Sequence, residues 1–211
     1  MLMLEIDGAW EPQDFVEVLR STESFYYKLA PVGSRRLRGL PYWLDDDYYM
    51  WGSARYGGLP FEAALDQINQ RLLERARYET PSYERLRVDR IQYASPGGID
   101  LLGIGKVFET IANSVGRIKV YFDEAHLRRE RDTQASLDTE LKRLQVEKER
   151  ETLQSLKIRN AQEAVALLDD HPEVHDALLP LLVRDQDALA SRIAERKLIS
   201  ANVASGDREG G

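Results

Sequence analysis

The chain has 211 residues, 43% of them hydrophobic and 31% charged, with a formal net charge of -7 and no cysteine. That length carries one core with an appendage, and the composition is that of a folded domain rather than a disordered chain. Without cysteine there are no disulfides, thiolate nucleophiles or cysteine-held metals, and the acidic balance removes the electrostatic footprint of a general nucleic-acid binder.

The opening Met1 to Asp7 alternates Leu2, Leu4 and Ile6 with Met3, Glu5 and Asp7, the period of a strand with one buried face. Its apolar run meets Glu5 and Asp7 too soon for a secretory signal, so a cytoplasmic location is expected. From Glu11 to Ala30 the residues Phe15, Val18, Leu19, Thr22, Phe25, Tyr26 and Leu29 keep the 3,4 spacing of one helix face. Pro12 suits its first position, and Asp14 and Glu17 favour the positive end of the helix dipole.

Pro31 and Gly33 end that helix, and residues 32–60 follow as a long connection without helical period. It is dense in aromatics. These side chains either cover the core or form a recognition face, since Tyr and Trp carry much of the energy at interfaces. Tyr42, Trp43, Tyr48, Tyr49 and Trp51 are therefore the candidate partner-binding residues. A second helix follows with Phe61, Ala64, Leu65, Ile68, Leu72 and Leu73 on its apolar face, stopped by Thr80 and Pro81. Leu86 to Ala94 then reads as another strand, in which β-branched and aromatic residues interleave with charges.

From Leu101 the helical signal is nearly continuous, with Ile104, Val107, Phe108, Ile111, Val115, Ile118, Phe122 and Ala125 on one side. The charges in this stretch, Lys106, Glu109, Arg117 and Lys119, would be costly at the centre of a bilayer, so no membrane span is expected. Residues 123–163 mix nine Lys/Arg with ten Asp/Glu, a solvated helix braced by i,i+4 pairs such as Glu124 with Arg128. Leu137, Leu141 and Leu144 open a narrow apolar seam that slips in phase to Leu153 and Leu156. Too thin to bury itself, such a stripe finds another helix, and these five leucines are the candidate oligomerisation residues. Pro172 begins a C-terminal helical segment with Val174, Leu178, Leu181, Leu182, Leu189 and Ile193 apolar, and Pro180 is expected to kink or divide it. Residues 201–211 read as a disordered tail.

The stretch from Tyr93 to Ile111 has the outline of a phosphate loop, with four glycines leading into a helix. It fails both fingerprints. Asp100 and Val107 stand where a Walker loop needs Gly and Ser/Thr, and the glycine spacing is not that of a dinucleotide turn. The pair His171 and His175 lacks the Glu that a zinc-protease motif places after its first His. Asp45 to Asp47 lack the spacing of a calcium loop, and Ser95 has no hydrolase frame around it. No catalytic residue, cofactor or metal follows from the sequence.

The strand-exit pattern Ile-Asp-Gly-x-Trp at Ile6–Trp10, with Tyr-x-Ser-Pro-Gly at Tyr93–Gly97 running into Ile-Asp-Leu-x-Gly-x-Gly at Ile99–Gly105, resembles small bacterial α+β modules of multidomain conflict, defence and signalling proteins. The resemblance implies an adaptor role and carries no catalytic residue. The expected organisation is an α+β head with two or three strands and two or three helices over 1–110. A long coiled-coil-like helical stalk follows over 111–168, then a C-terminal helical segment over 169–200 and the tail. The expected function is a non-enzymatic interaction or oligomerisation adaptor whose partners are itself and another protein, with neither nucleic acid nor membrane. The alternative is an enzyme or small-ligand sensor with its pocket between the aromatic connection and the Ser95-Pro96-Gly97 turn.

Overall fold

The computed structural model describes residues 1–33, 61–132, 139–168 and 175–204. The described elements run β1 (Leu2–Ile6), α1 (Pro12–Gly33), α2 (Phe61–Glu79), β2 (Arg87–Gln92), β3 (Gly97–Leu102), α3 (Gly105–Asp132), α4 (Thr139–Val165), α5 (His175–Ala194) and β4 (Leu198–Val203). The class is α+β. The strands form one antiparallel sheet in the order β2-β3-β1-β4.

Alternation in β1 sends Leu2, Leu4 and Ile6 into the core and leaves Met3 and Glu5 outside. In register with them, Leu101 faces Leu2 and Ile99 faces Leu4, so the centre of the sheet offers one continuous apolar face. Helices cover that face: Val18, Phe25 and Leu29 of α1, Val107, Phe108, Ile111, Val115 and Ile118 of α3, and Leu178, Leu181, Leu182, Leu189 and Ile193 of α5 all join one core. These are the positions marked by the 3,4 spacing. Phe15 and Leu19 pack at its margin, and Leu72 of α2 is buried within it.

Tyr26 acts as a strut. Its hydroxyl donates to the Glu84 carbonyl and accepts the Ile104 N–H at 2.8 Å, joining α1 to the turn before β2 and to the start of α3. Burial pushes its phenol pKa up. Gly103 is required beside it, because a Cβ there would sit 2.7 Å from the Tyr26 hydroxyl.

Several expectations are corrected. The glycine-rich stretch after Ala94 is not only a turn into a helix: Gly97–Leu102 is β3, the partner of both β1 and β2. Ala201 to Val203, expected as the beginning of the tail, are the end of β4 and pair with Leu2 to Leu4 of β1. Residues 205–211 lie outside the described residues. Pro180 does not divide the last helix, which runs on from His175 to Ala194. Near the helix start its missing N–H forfeits a single i−4 bond, and Leu178, Leu181 and Leu182 hold the segment in the core. The separation into head and stalk also changes, since the first half of α3, the second half of α4 and all of α5 build the same core as the sheet.

The chain closes on itself through charge. The Asp14 carboxylate accepts the Glu11 N–H at 3.0 Å, capping the start of α1. It also meets Arg192 at 2.8 Å and Lys197 at 2.6 Å, at the end of α5 and just before β4. The hydrogen bonds from Lys197 and the Glu11 N–H, with the Arg192 charge, hold the Asp14 carboxyl below its ordinary range. Arg192 does the same to Glu17. Between α5 and β4, Arg196 takes the left-handed conformation (φ 59°) while the Lys197 N–H returns to the Arg192 carbonyl, a Schellman turn without its usual glycine.

Candidate functional site

Buried chemistry outside the apolar core is concentrated where α1 meets α5 and α4. The Lys28 ammonium donates to Asp185 Oδ2 at 2.5 Å and to Ser24 Oγ at 2.7 Å, with the Lys28 side chain wholly buried and that of Asp185 6% exposed. Desolvation dominates both groups, pushing the Lys28 pKa down and that of Asp185 up against their mutual attraction. Beside it, Asn160 donates to Gln186 Oε1 at 2.9 Å, and Gln186 returns its amide to the Lys157 and Leu182 carbonyls. The ammonium is spent on Asp185 and Ser24, and the carboxylate on the ammonium. The set is a polar cross-tie between helices, bordered by a cavity of about 620 Å³ that includes Ser24, Asn69 and Asp185 in its wall.

At the other candidate, Ser95 Oγ donates to the Asp7 carboxylate, which also accepts the Gly8 N–H at 2.8 Å. Those two hydrogen bonds lower the Asp7 pKa. The Trp10 and Phe15 rings meet at a tilt nearby, and Tyr93 meets Phe15 edge-on. Asp7 so held is an anchor for the β2–β3 turn and a poor proton acceptor. Among the described residues no group of three or more His, Cys, Asp or Glu side chains is arranged to hold a metal. His175 makes a 3.4 Å contact with the Leu168 carbonyl, while His171 and Asp45 to Asp47 lie outside the described residues.

The third candidate is a surface. α3 and α4 form an antiparallel hairpin: the Arg117 guanidinium donates to Asn160 at 3.2 Å and to Glu163, and further out the Tyr121 hydroxyl donates to the Glu149 carbonyl at 2.6 Å. Their inner halves belong to the core. Beyond Ile118 on α3, Phe122 packs at the core margin and Ala125 is buried only outside the continuous core. Among the described residues the outer half adds no fully buried side chain to the continuous core. It leaves Val120, Leu127, Leu144 and Val146 between 45% and 57% exposed.

A groove of about 800 Å³ runs between the two helices, walled by Ala112, Gly116, Val120, Tyr121, Leu156 and Arg159. Gly116 lies on its open side, where a Cβ would meet nothing within 4 Å. A further hollow of about 460 Å³ beside Tyr121 is lined by Leu144, Arg128 and Lys148.

The predicted seam is divided by this arrangement. Leu144 is exposed at 57%, whereas Leu153 and Leu156 are partly spent on the chain's own core. They do not continue one free stripe, because α4 turns its inner half toward α5. Leu137 lies outside the described residues, as does the side chain of Leu141 on α4. Val120 and Leu127, which the seam did not include, sit seven residues apart on the same face of α3, a spacing visible in the sequence. Tyr42, Trp43, Tyr48, Tyr49 and Trp51 all fall outside the described residues. Among the described residues no helix is long and apolar enough to cross a membrane. Comparison with protein-family models, curated proteins and solved structures finds no match for this chain.

Proposed function

We propose that this chain is a non-enzymatic adaptor that self-associates through the outer half of the α3–α4 hairpin. One observation carries the reading: the large apolar side chains Val120, Leu127 and Leu144 stand exposed on the charged outer half of a hairpin whose inner half contributes to the core. Helices with a residual apolar stripe bury it against other helices, and two such hairpins laid together form a four-helix bundle. The groove between the helices, whose wall reaches Val120 and Tyr121, supplies space for side chains of the opposing hairpin. This is the coiled-coil role in a modified form, with the chain contributing a helix pair in place of a single stalk.

The adaptor role extends to a second protein, met by Tyr42, Trp43, Tyr48, Tyr49 and Trp51, in the bacterial defence or signalling setting that the Ile6–Trp10 and Tyr93–Gly105 patterns imply, and in the cytoplasm. The alternative, an enzyme or ligand sensor at the Ser95 turn, draws support from the Ser95–Asp7 hydrogen bond and the adjoining Trp10, Phe15 and Tyr93 rings. Two experiments separate them. Val120→Asp with Leu144→Asp lowers the mass of the assembly if the hairpin reading holds. A saturable rise in melting temperature in a screen of nucleotides and metals favours the alternative, because a ligand that binds only the native state stabilises it.

A further inference from the structure

Among the described residues β2 is an edge strand that the helical layer does not cover. All six of its residues are exposed, including Val88 at 49% and Ile91 at 47%. Their direction follows from the register: Val88 lies opposite Leu101 and Ile91 opposite Ile99, both buried, so Val88 and Ile91 point to the same side of the sheet as the core. The two apolar side chains extend the inner face past the last described residue that covers it. Asp89 is the extra residue of a bulge between Val88 and Arg90, and Arg90 lies opposite Asp100 on the outer face, bound to its Oδ2 through Nε and Nη2 at 2.9 and 2.8 Å.

A bulge and charges on an edge strand ordinarily prevent pairing with another chain. Here the order of residues permits one partner. Laid antiparallel against a second copy of itself about the midpoint between Asp89 and Arg90, β2 sets Arg87 against Gln92, Val88 against Ile91 and Asp89 against Arg90, each pair occurring twice by symmetry. Val88 and Ile91 then meet on the inner face, and each Asp89 meets an Arg90, the opposite-charge cross-strand pair that stabilises sheets. Other nearby registers place Arg against Arg or an apolar residue against a charge.

We propose that β2 is a self-pairing edge that joins the sheets of two copies in this one register. The interface is separate from the hairpin and does not depend on it. A pairing of six residues is weak on its own and is populated at high local concentration, as when a partner or the hairpin has already gathered the chains. Two different two-fold surfaces on one chain generate an assembly larger than a dimer, either a closed dihedral oligomer or an extended one.

The absence of cysteine makes the test direct. Single variants Val88→Cys and Ile91→Cys are prepared in the Val120→Asp, Leu144→Asp background, which removes the hairpin contact, and oxidised separately and as an equimolar mixture at about millimolar protein, the local concentration at which the pairing is populated. Both sites are half-exposed, so circular dichroism should show the native fold. Opposed residues of an antiparallel pair lie within disulfide range, whereas residue 88 is three positions from residue 88 of the other copy. The expected result is cross-linked dimer several-fold more abundant in the mixture than in either variant alone. Adding Asp89→Arg to both chains should reduce it roughly tenfold, since both cross-strand charge pairs become repulsive. Equal cross-linking in all three samples, no cross-linking in the mixture, or no response to Asp89→Arg overturns the proposal. A hairpin reading that failed would show instead as an unchanged mass on adding the Val120 and Leu144 substitutions to the native chain.

Discussion

The Lys28–Asp185 pair offers a sharp test of how the helical layer is held together. Replacing Lys28 by Met keeps the aliphatic stem and removes the charge, leaving the buried Asp185 carboxylate without the countercharge at 2.5 Å. Breaking one side of a buried ion pair costs about 3–5 kcal/mol, mostly as the penalty of an uncompensated charge. Against a total of about 5–15 kcal/mol for a domain, that is roughly a fifth of the stability or more. The melting temperature should fall by roughly 10 °C, at about 2–4 °C per kcal/mol for a chain of this size. Asp185→Leu alone should cost a similar amount by stranding the ammonium. The double variant should recover to within about 1 kcal/mol of the native protein, because an apolar pair needs no desolvation, and the cavity beside Asp185 has room for the larger side chain. Urea denaturation of all four proteins, followed by circular dichroism, gives the coupling energy. Single variants that each cost less than about 1 kcal/mol, or a double variant whose loss is the sum of both, would refute the reasoning.

Phe25→Ala should cost about 3–5 kcal/mol in the same assay, since the ring is fully buried between the sheet and the helices. Truncation after Lys197 should prevent stable folding, measured as loss of cooperative unfolding, because it strips β4 from β1 and uncovers Leu2 and Leu4. Arg196→Gly should raise stability by about 0.5–1 kcal/mol by relieving the left-handed conformation of a residue with a Cβ. The depressed carboxyls of Asp14 and Glu17 contribute stability that is fully present above their ordinary values, near pH 4, and is lost as the pH falls through their lowered ones. Asp14→Asn with Glu17→Gln should therefore flatten the acid limb of a melting-temperature profile below about pH 4 and lower the plateau above it.

The helices were legible because their apolar faces are wide: Val107, Phe108, Ile111, Val115 and Ile118 recur at 3,4 spacing and are all buried. β1 was legible for the corresponding period-2 reason. β3 was not, because Gly97, Gly98 and Gly103 read as turn residues, and the shielding of Asp100 depends on Arg90 across the hairpin, a nonlocal fact. β4 escaped because Leu198 to Val203 places Ser200 and Asn202 among small apolar residues and leads into a glycine-rich end; only the neighbouring β1 makes it a strand. Of the candidate site, the sequence marked Leu144 but read residues 111–168 as one long helix, whereas α3 ends at Asp132 and α4 begins at Thr139. It did not show that Leu153 and Leu156 would be drawn toward the chain's own core, since a narrow stripe does not specify which helix will cover it.

Self-association through the hairpin is tested most directly by the mass of the protein in dilute solution. Multi-angle light scattering on the native chain at micromolar concentration, where a six-residue edge pairing is too weak to persist, should give at least twice the 24.2 kDa of one chain. The Val120→Asp, Leu144→Asp variant should give a single chain with an unchanged helical spectrum, because both side chains are exposed in the isolated protein and exposed substitutions cost within about 0.5 kcal/mol. A native chain already running at 24.2 kDa, or a variant that keeps the native mass, would contradict it.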